Sequence, residues 1–148
     1  MKPDHPNPVP AVATPCPLPV VASPVRAGFP SPAEDYVEGH LDLNTHLIRR
    51  PAATFIVRVQ GDSMTGAGIF SDDLLVVDRA VRARRGHVVI ALVGGDLTVK
   101  RLGGRPGNWL LEAAHPDYPP IELAAMDEDG DAAIWGVAVG VVRKLTDD

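Results

Sequence analysis

The sequence predicts a mainly β domain, a twisted and partly closed sheet assembly entered through short helices and preceded by an extended proline-rich arm. Three observations point there. Ten of the 15 prolines fall within the first 32 residues, in a stretch with almost no charge and no hydrophobic period. Such a segment cannot sustain a helix or a core strand, so it is expected to be extended and mobile, outside the core. The rest of the 148-residue chain breaks into short apolar or alternating runs bounded by glycine and proline turns, the pattern of many short strands. No heptad, internal repeat or helix-turn-helix pattern interrupts it.

Taken in order, Ser31-Pro32-Ala33-Glu34 reads as a capping box with proline at the first helical position, opening a short helix through about Glu38. A second short helix is expected over Leu43–Arg49, stopped before Pro51. Strand-like runs follow at Thr54–Gln60, Leu74–Asp78, His87–Val93, Leu97–Leu102, Asn108–Ala113 and Ala132–Lys144. Gly94-Gly95 joins two of them as a tight hairpin. Trp109 and Trp135 are expected to anchor the late strands.

Composition excludes several classes. The arm is broken by prolines throughout and starts Met1-Lys2-Pro3-Asp4, so it reads as neither a signal peptide nor a membrane span. Cys16 is the single cysteine, which rules out an internal disulfide framework and suits a reducing cytoplasm. Nothing rigid is expected around it to make it a nucleophile. Net charge is −5, and the arm carries Lys2 and Arg26 against Asp4, so the body is more acidic still. That opposes a general nucleic-acid binder. Arg79, Arg82, Arg84 and Arg85 form a local basic cluster, read as a solvated or partner-facing loop. Asp127-Glu128-Asp129-Gly130-Asp131 lacks the full ligand pattern of a calcium loop and reads as a solvated turn. No metal or cofactor is implied, and His40, His46, His87 and His115 lie in no motif and at no metal-ligand spacing.

Ser63 stands in a Gly61-Asp62-Ser63-Met64 turn after an apolar run, and Lys100 closes a second run 37 residues later. A serine hydroxyl attacks a carbonyl only if a neighbour takes its proton. A lysine can do so when burial disfavours its charged form, an arrangement known from serine-lysine enzymes. The chain uses 11 arginines and only three lysines, Lys2, Lys100 and Lys144. Arginine does not deprotonate, so Lys100 is one of few basic residues able to act as a base. On spacing alone, an ordinary solvated lysine on a strand remains the simpler reading.

From Ala27 to Leu102 the chain resembles the UmuD branch of the LexA/UmuD family of self-cleaving serine-lysine proteins. Ala27-Gly28-Phe29-Pro30-Ser31-Pro32 is similar to the family's cleavage site, and Asp35-Tyr36-Val37 with Leu41-Asp42-Leu43-Asn44 to the helical stretch after it. Gly61-Asp62-Ser63-Met64, Gly68-Ile69 and Asp73-Leu74-Leu75-Val76-Val77-Asp78 resemble the nucleophile loop and the next strand, and Thr98-Val99-Lys100 the lysine strand. Asp72 departs from the glycine usual before Asp-Leu-Leu, and a tolerated left-handed turn is expected there.

The resemblance implies a mobile arm over 1–27, removed by self-cleavage, and a catalytic and dimerisation domain over 28–148. Ser63 would attack the Ala27–Gly28 bond with Lys100 as general base, and the backbone N–H groups of Ser63 and Asp62 would form the oxyanion hole. It further implies a homodimer stimulated by a RecA filament on single-stranded DNA, serving a UmuC-type error-prone polymerase in the SOS DNA-damage response. With only 27 residues ahead of the cut and no helix-turn-helix, a repressor that reads a specific DNA sequence is not expected. Two other classes stay open: a serine-lysine peptidase acting in trans, and a non-catalytic β-rich interaction module.

Overall fold

The computed structural model describes residues 14–22, 25, 27–28, 37–123 and 133–148. The capping box at 31–34 and the acidic run at 127–131 lie outside the described residues. The chain divides into two compact units, Met1–Leu47 and Ile48–Asp148. The expected cut at Ala27–Gly28 falls inside the first.

In the first unit, β1 (Pro17–Val21) pairs antiparallel with β2 (Val37–Asp42), with Pro17 opposite Asp42 and Pro19 opposite His40. This stretch of the proline-rich segment, Pro17–Val21, is thus extended and also paired. A two-stranded ribbon has an outer edge on each strand, so a proline lacking its N–H costs nothing where that position faces outward. The expected helix through Glu38 is corrected at its described end, because Val37 and Glu38 open β2. Val37 is β-branched, and pairing with Val21 outweighs continuation of a helix. Asp42 then caps α1 (Leu43–Leu47), accepting from the Asn44 N–H at 2.9 Å, while its other carboxylate oxygen accepts from the Cys16 N–H at 3.1 Å.

The second unit is one antiparallel sheet of β3 (Thr54–Arg58), β4 (Leu74–Asp78), β5 (Val88–Val93), β6 (Asp96–Arg105), β7 (Asn108–Glu112), β8 (Ile121–Glu122) and β9 (Ile134–Val142). Their order is β3-β4-β9-β5-β6-β7-β8. Every expected strand is present. The β5–β6 hairpin turns on Gly94 and Gly95, both at positive φ (56° and 88°), which a two-residue loop of this kind demands. β6 runs three residues past its expected end because Gly103 and Gly104 lie tight against β7. A Cβ at Gly104 would stand 2.3 Å from the Asn108 carbonyl oxygen.

Two apolar clusters form the core. Val59, Met64, Ile69, Leu75, Val77 and Ile90 make one, and Val89, Ala91, Leu102, Leu111 and Val137 the other. Successive side chains of β5 alternate between them, Ile90 into the first and Val89 and Ala91 into the second. That is why β5 reads as an unbroken apolar run. Trp135 packs on the first cluster and Trp109 on the second. Among the described residues no helix is long and apolar enough to cross a membrane.

Candidate active site

Lys100 lies in β6 and Thr98 two residues before it, so both side chains leave the same face of the strand. The Lys100 Nζ is 3.0 Å from Thr98 Oγ1, 3.1 Å from the Val99 carbonyl oxygen and 3.0 Å from Ser63 Oγ. The residue is only 7% exposed. No carboxylate pairs with the ammonium among the described residues, and burial therefore pushes the Lys100 pKa down from its ordinary value. In the neutral amine two N–H groups can donate to Thr98 and Val99, leaving the lone pair for the Ser63 hydroxyl proton. Three partners thus match two donors and one acceptor.

The serine side is held by its turn. Gly61 adopts φ 97°, a conformation suited to glycine, and leads from the strand into Asp62 and Ser63. The Asp62 carbonyl accepts from the Thr65 N–H and hydroxyl at 3.3 and 3.1 Å. A single 3-10 turn, Thr65–Ala67, follows and closes on Gly68 in the left-handed region. Met64 is buried in the first core cluster and ties Ser63 to the sheet. On the far side the Ala114 N–H donates to the Ser63 carbonyl at 2.8 Å, and the Gly66 N–H donates to the Ala114 carbonyl at 2.8 Å. Only glycine fits at 66, because a Cβ there would stand 2.6 Å from that oxygen.

A cleft of about 250 Å³ opens at Ser63, lined also by Val57, Val59, Gly61, Leu97 and Thr98 among others. Its lining mixes apolar side chains with Arg58, Gln60 and the Ser63 and Thr98 hydroxyls. The Ser63 N–H has no hydrogen-bond partner among the described residues.

The loop ends where the Val59 N–H donates to the Asp73 carbonyl at 2.9 Å and the Asp72 N–H to the Val59 carbonyl at 2.8 Å. Asp72 has φ 74°, the left-handed turn expected at this position. Asp73, 2% exposed, takes a two-armed contact from Arg143, Nε to Oδ1 and Nη2 to Oδ2, each at 2.6 Å. The Phe70 N–H adds a third donor at 2.8 Å. Arg143 foremost, then this N–H, hold the Asp73 carboxyl down at about 2. Arg143 also reaches the Gly68 carbonyl at 3.0 Å, pinning the end of the nucleophile loop.

The structure thus brings Ser63, Asp62 and Lys100 into one place. Ala27 and Gly28 are exposed within the first unit, with open space where a Cβ on Gly28 would sit. His115 faces Asp62 in the turn, its Nε2 3.8 Å from Oδ2. His87 instead accepts the Arg84 N–H at 3.0 Å. In the basic cluster, Arg79 lies over Trp135 at 4.5 Å and donates to its carbonyl at 2.8 Å. Sequence reasoning assigned no role to Thr98, Ala114, Tyr118 or Arg143. Thr98 alone carried a local signal, its i, i+2 spacing to a strand lysine.

A family model described as Peptidase S24-like matches residues 19–139, a span that takes in Ala27, Gly28, Ser63 and Lys100. Protein ImpA of Escherichia coli is 56% identical over 126 residues, 85% of this chain and 83% of that protein. Protein SamA of Salmonella typhimurium is 48% identical over 120 residues, 80% and 79% of the two chains. The LexA repressor of Halorhodospira halophila is 43% identical over 144 residues, 96% of this chain and 62% of the repressor.

Proposed function

Because the chain belongs to the Peptidase S24-like family, in its UmuD branch, we propose that Ser63 and Lys100 cut its own Ala27–Gly28 bond. The observation that carries this reading is the buried Lys100 Nζ, 3.0 Å from Ser63 Oγ with no counterion of its own among the described residues. Neutral Lys100 takes the hydroxyl proton as Ser63 Oγ bonds to the Ala27 carbonyl carbon. The resulting oxyanion is met by the Ser63 N–H, with the Asp62 N–H as second donor. Lys100 then passes its proton to the Gly28 nitrogen, the C–N bond breaks, and water hydrolyses the ester left between Ala27 and Ser63. Because the substrate is tethered, presentation of the arm replaces substrate affinity.

In cells a RecA filament on single-stranded DNA raises the rate by favouring the arm's competent position, a population shift. The product, Gly28–Asp148, acts in the cytoplasm as a homodimer with a UmuC-type error-prone polymerase in the SOS response. Family membership supports these partners.

The test is incubation of the purified protein at alkaline pH beside Ser63→Ala and Lys100→Ala, with fragment masses read over time. A Gly28–Asp148 fragment from the parent alone, formed at a first-order rate independent of concentration, is the expected result. A rate rising with concentration would mean one subunit cuts another. Processing of unrelated peptides would mark a peptidase acting in trans. An intact parent, with a RecA filament present as well, would leave a non-catalytic interaction module.

A further inference from the structure

The turn that carries Ser63 is gripped from outside the cleft by one short segment, residues 114–118, which follows β7. The Ala114 backbone holds the Ser63 carbonyl and the Gly66 N–H, both at 2.8 Å. Four residues on, the Tyr118 hydroxyl donates to Asp62 Oδ1 at 2.6 Å. Gly61, Ser63 and Met64 line the cleft and Asp62 does not. The Asp62 carboxylate is therefore engaged outside the cleft. His115 completes the grip. Its Nδ1 accepts the Asp117 N–H at 3.1 Å, so in the neutral ring the proton sits on Nε2, which faces Asp62 Oδ2 at 3.8 Å. Its ring meets Tyr118 edge-on with centroids 5.3 Å apart.

We propose that Tyr118 is a positioning residue for the nucleophile: by holding Asp62 on one side while Ala114 holds Ser63 on the other, it fixes the plane of the Asp62–Ser63 peptide. That plane sets where the Ser63 N–H points and the angle at which Oγ meets Lys100 Nζ. The inference rests on the self-cleavage reading. The contact is short and charge-assisted, hence directional as well as strong. Its ionisation agrees with this role. The Tyr118 hydroxyl foremost holds the Asp62 carboxyl below its usual value, and Asp62 in turn raises Tyr118, so each partner favours the form in which the other accepts or donates. The charged or titratable groups facing Tyr118 are Asp62, His115 and Asp117.

The experiment is a double-mutant cycle on the full chain with Tyr118→Phe, Asp62→Ala and the pair, and with Asp62→Asn made both alone and together with Tyr118→Phe. Two rates are read, autocleavage and labelling of Ser63 by a small fluorophosphonate, with melting temperature as a check on folding. Labelling does not need the arm, so it isolates the turn. Tyr118→Phe is expected to slow both rates about tenfold. Asp62→Ala should match it, and the pair should be little slower than either alone. Asp62→Asn keeps an acceptor oxygen, so it should slow the protein less than Asp62→Ala when Tyr118 is present and no less when it is not. A structural effect alone would lower the melting temperature without this conditional rescue. Parental rates in Tyr118→Phe, or additive losses in the pair, would overturn the inference and leave the self-cleavage reading intact. A parent that neither cleaves nor labels would overturn both.

Discussion

Two regions of the second unit bury a charged side chain and treat it in opposite ways. At the Asp73 corner the carboxylate is met by both arms of Arg143 and a backbone N–H, and it stays ionised down to about pH 2. In the middle of β6, Lys100 is given a hydroxyl, a carbonyl and the Ser63 hydroxyl, and no opposite charge among the described residues. Asp78, the remaining buried carboxylate among the described residues, follows the first pattern, with Arg50 Nη1 at 2.9 Å and the Ala80 N–H at 2.8 Å. The difference separates a charge used for holding from a charge that has to be given up. An ion pair would fix Lys100 equally well and would keep its proton on it.

The largest expected effect comes from making the lysine region permanently charged. Lys100→Arg retains a cation that cannot deprotonate, and self-cleavage should fall on the order of 10²–10⁴-fold, the contribution of a general base. Fragment yield over time in parent and variant checks it. A variant that still cleaves at the parental rate would mean that Lys100 does not act as a base.

A second substitution makes the lysine region resemble the Asp73 corner. Thr98→Asp places a carboxylate where a hydroxyl now sits 3.0 Å from Nζ. An opposite charge at that range favours the ammonium by about 1–3 pKa units. The rising limb of the pH–rate profile should move to higher pH by about that much, with about tenfold slower cleavage per unit at a fixed pH on that limb. The parent limb should lie below 10.5, because burial lowers the Lys100 value. A profile that stays in place under Thr98→Asp would show that absence of a counterion is not what tunes Lys100.

The converse change strips the corner of its cation. Arg143→Leu leaves Asp73 buried among apolar and backbone groups, and the melting temperature at pH 7 should drop on the order of 5–10 °C. The pH dependence carries the sharper signature. The folded Asp73 carboxyl binds its proton less tightly than the unfolded chain, where the value is about 3.9. Its contribution to stability is therefore complete above about pH 4 and disappears as pH falls through about 2. Thermal melts from pH 7 to pH 2 should show parent and variant converging in that window. Curves that stay parallel would mean that Arg143 stabilises by packing, its guanidinium lying 4.6 Å from the Phe70 ring centre, and not by charge.

These two regions were unequally legible in the sequence. Ser63 and Lys100 could be paired because each sits in a local pattern, a turn after an apolar run and the close of a second such run, and the family order of motifs connected them. The hairpin at Gly94-Gly95 and the left-handed Asp72 were also local, set by what one or two residues can do with their backbone. Arg143 and Asp73 lie 70 residues apart and Tyr118 and Asp62 56 apart, joined only when β9 docks on β4 and the chain after β7 folds back over the turn. No periodicity records such contacts. β8 has just two residues, too few to alternate. β1 was hidden by its prolines, since pairing at a ribbon edge needs only half of the backbone donors. Val37 and Glu38 were assigned to a helix because the capping box upstream is a strong local signal, and the strand won through a partner 16 residues away.

The smallest expected effect tests the Asp73 corner without touching its charges. Asp72 holds φ 74°, a conformation that costs an ordinary L-residue about 1–2 kcal/mol and an aspartate less. Its N–H closes the loop onto the Val59 carbonyl at 2.8 Å, and its own turn delivers Asp73 to Arg143. Asp72→Gly removes the strain but frees the unfolded backbone, so the two terms nearly cancel and stability should rise by no more than about 0.5 kcal/mol. Asp72→Ala keeps a Cβ and loses the polar side chain that tolerates this region, so it should cost about 1 kcal/mol. Urea denaturation at pH 7 ranks the three, glycine first, aspartate next, alanine last. Repeating the series at pH 2, where Asp73 is losing its charge, shows whether the strain serves the ion pair. An unchanged alanine penalty would assign the turn to loop closure alone, whereas a penalty that fades with the charge would mean that the left-handed residue is held in place by the pull of Arg143 on its neighbour.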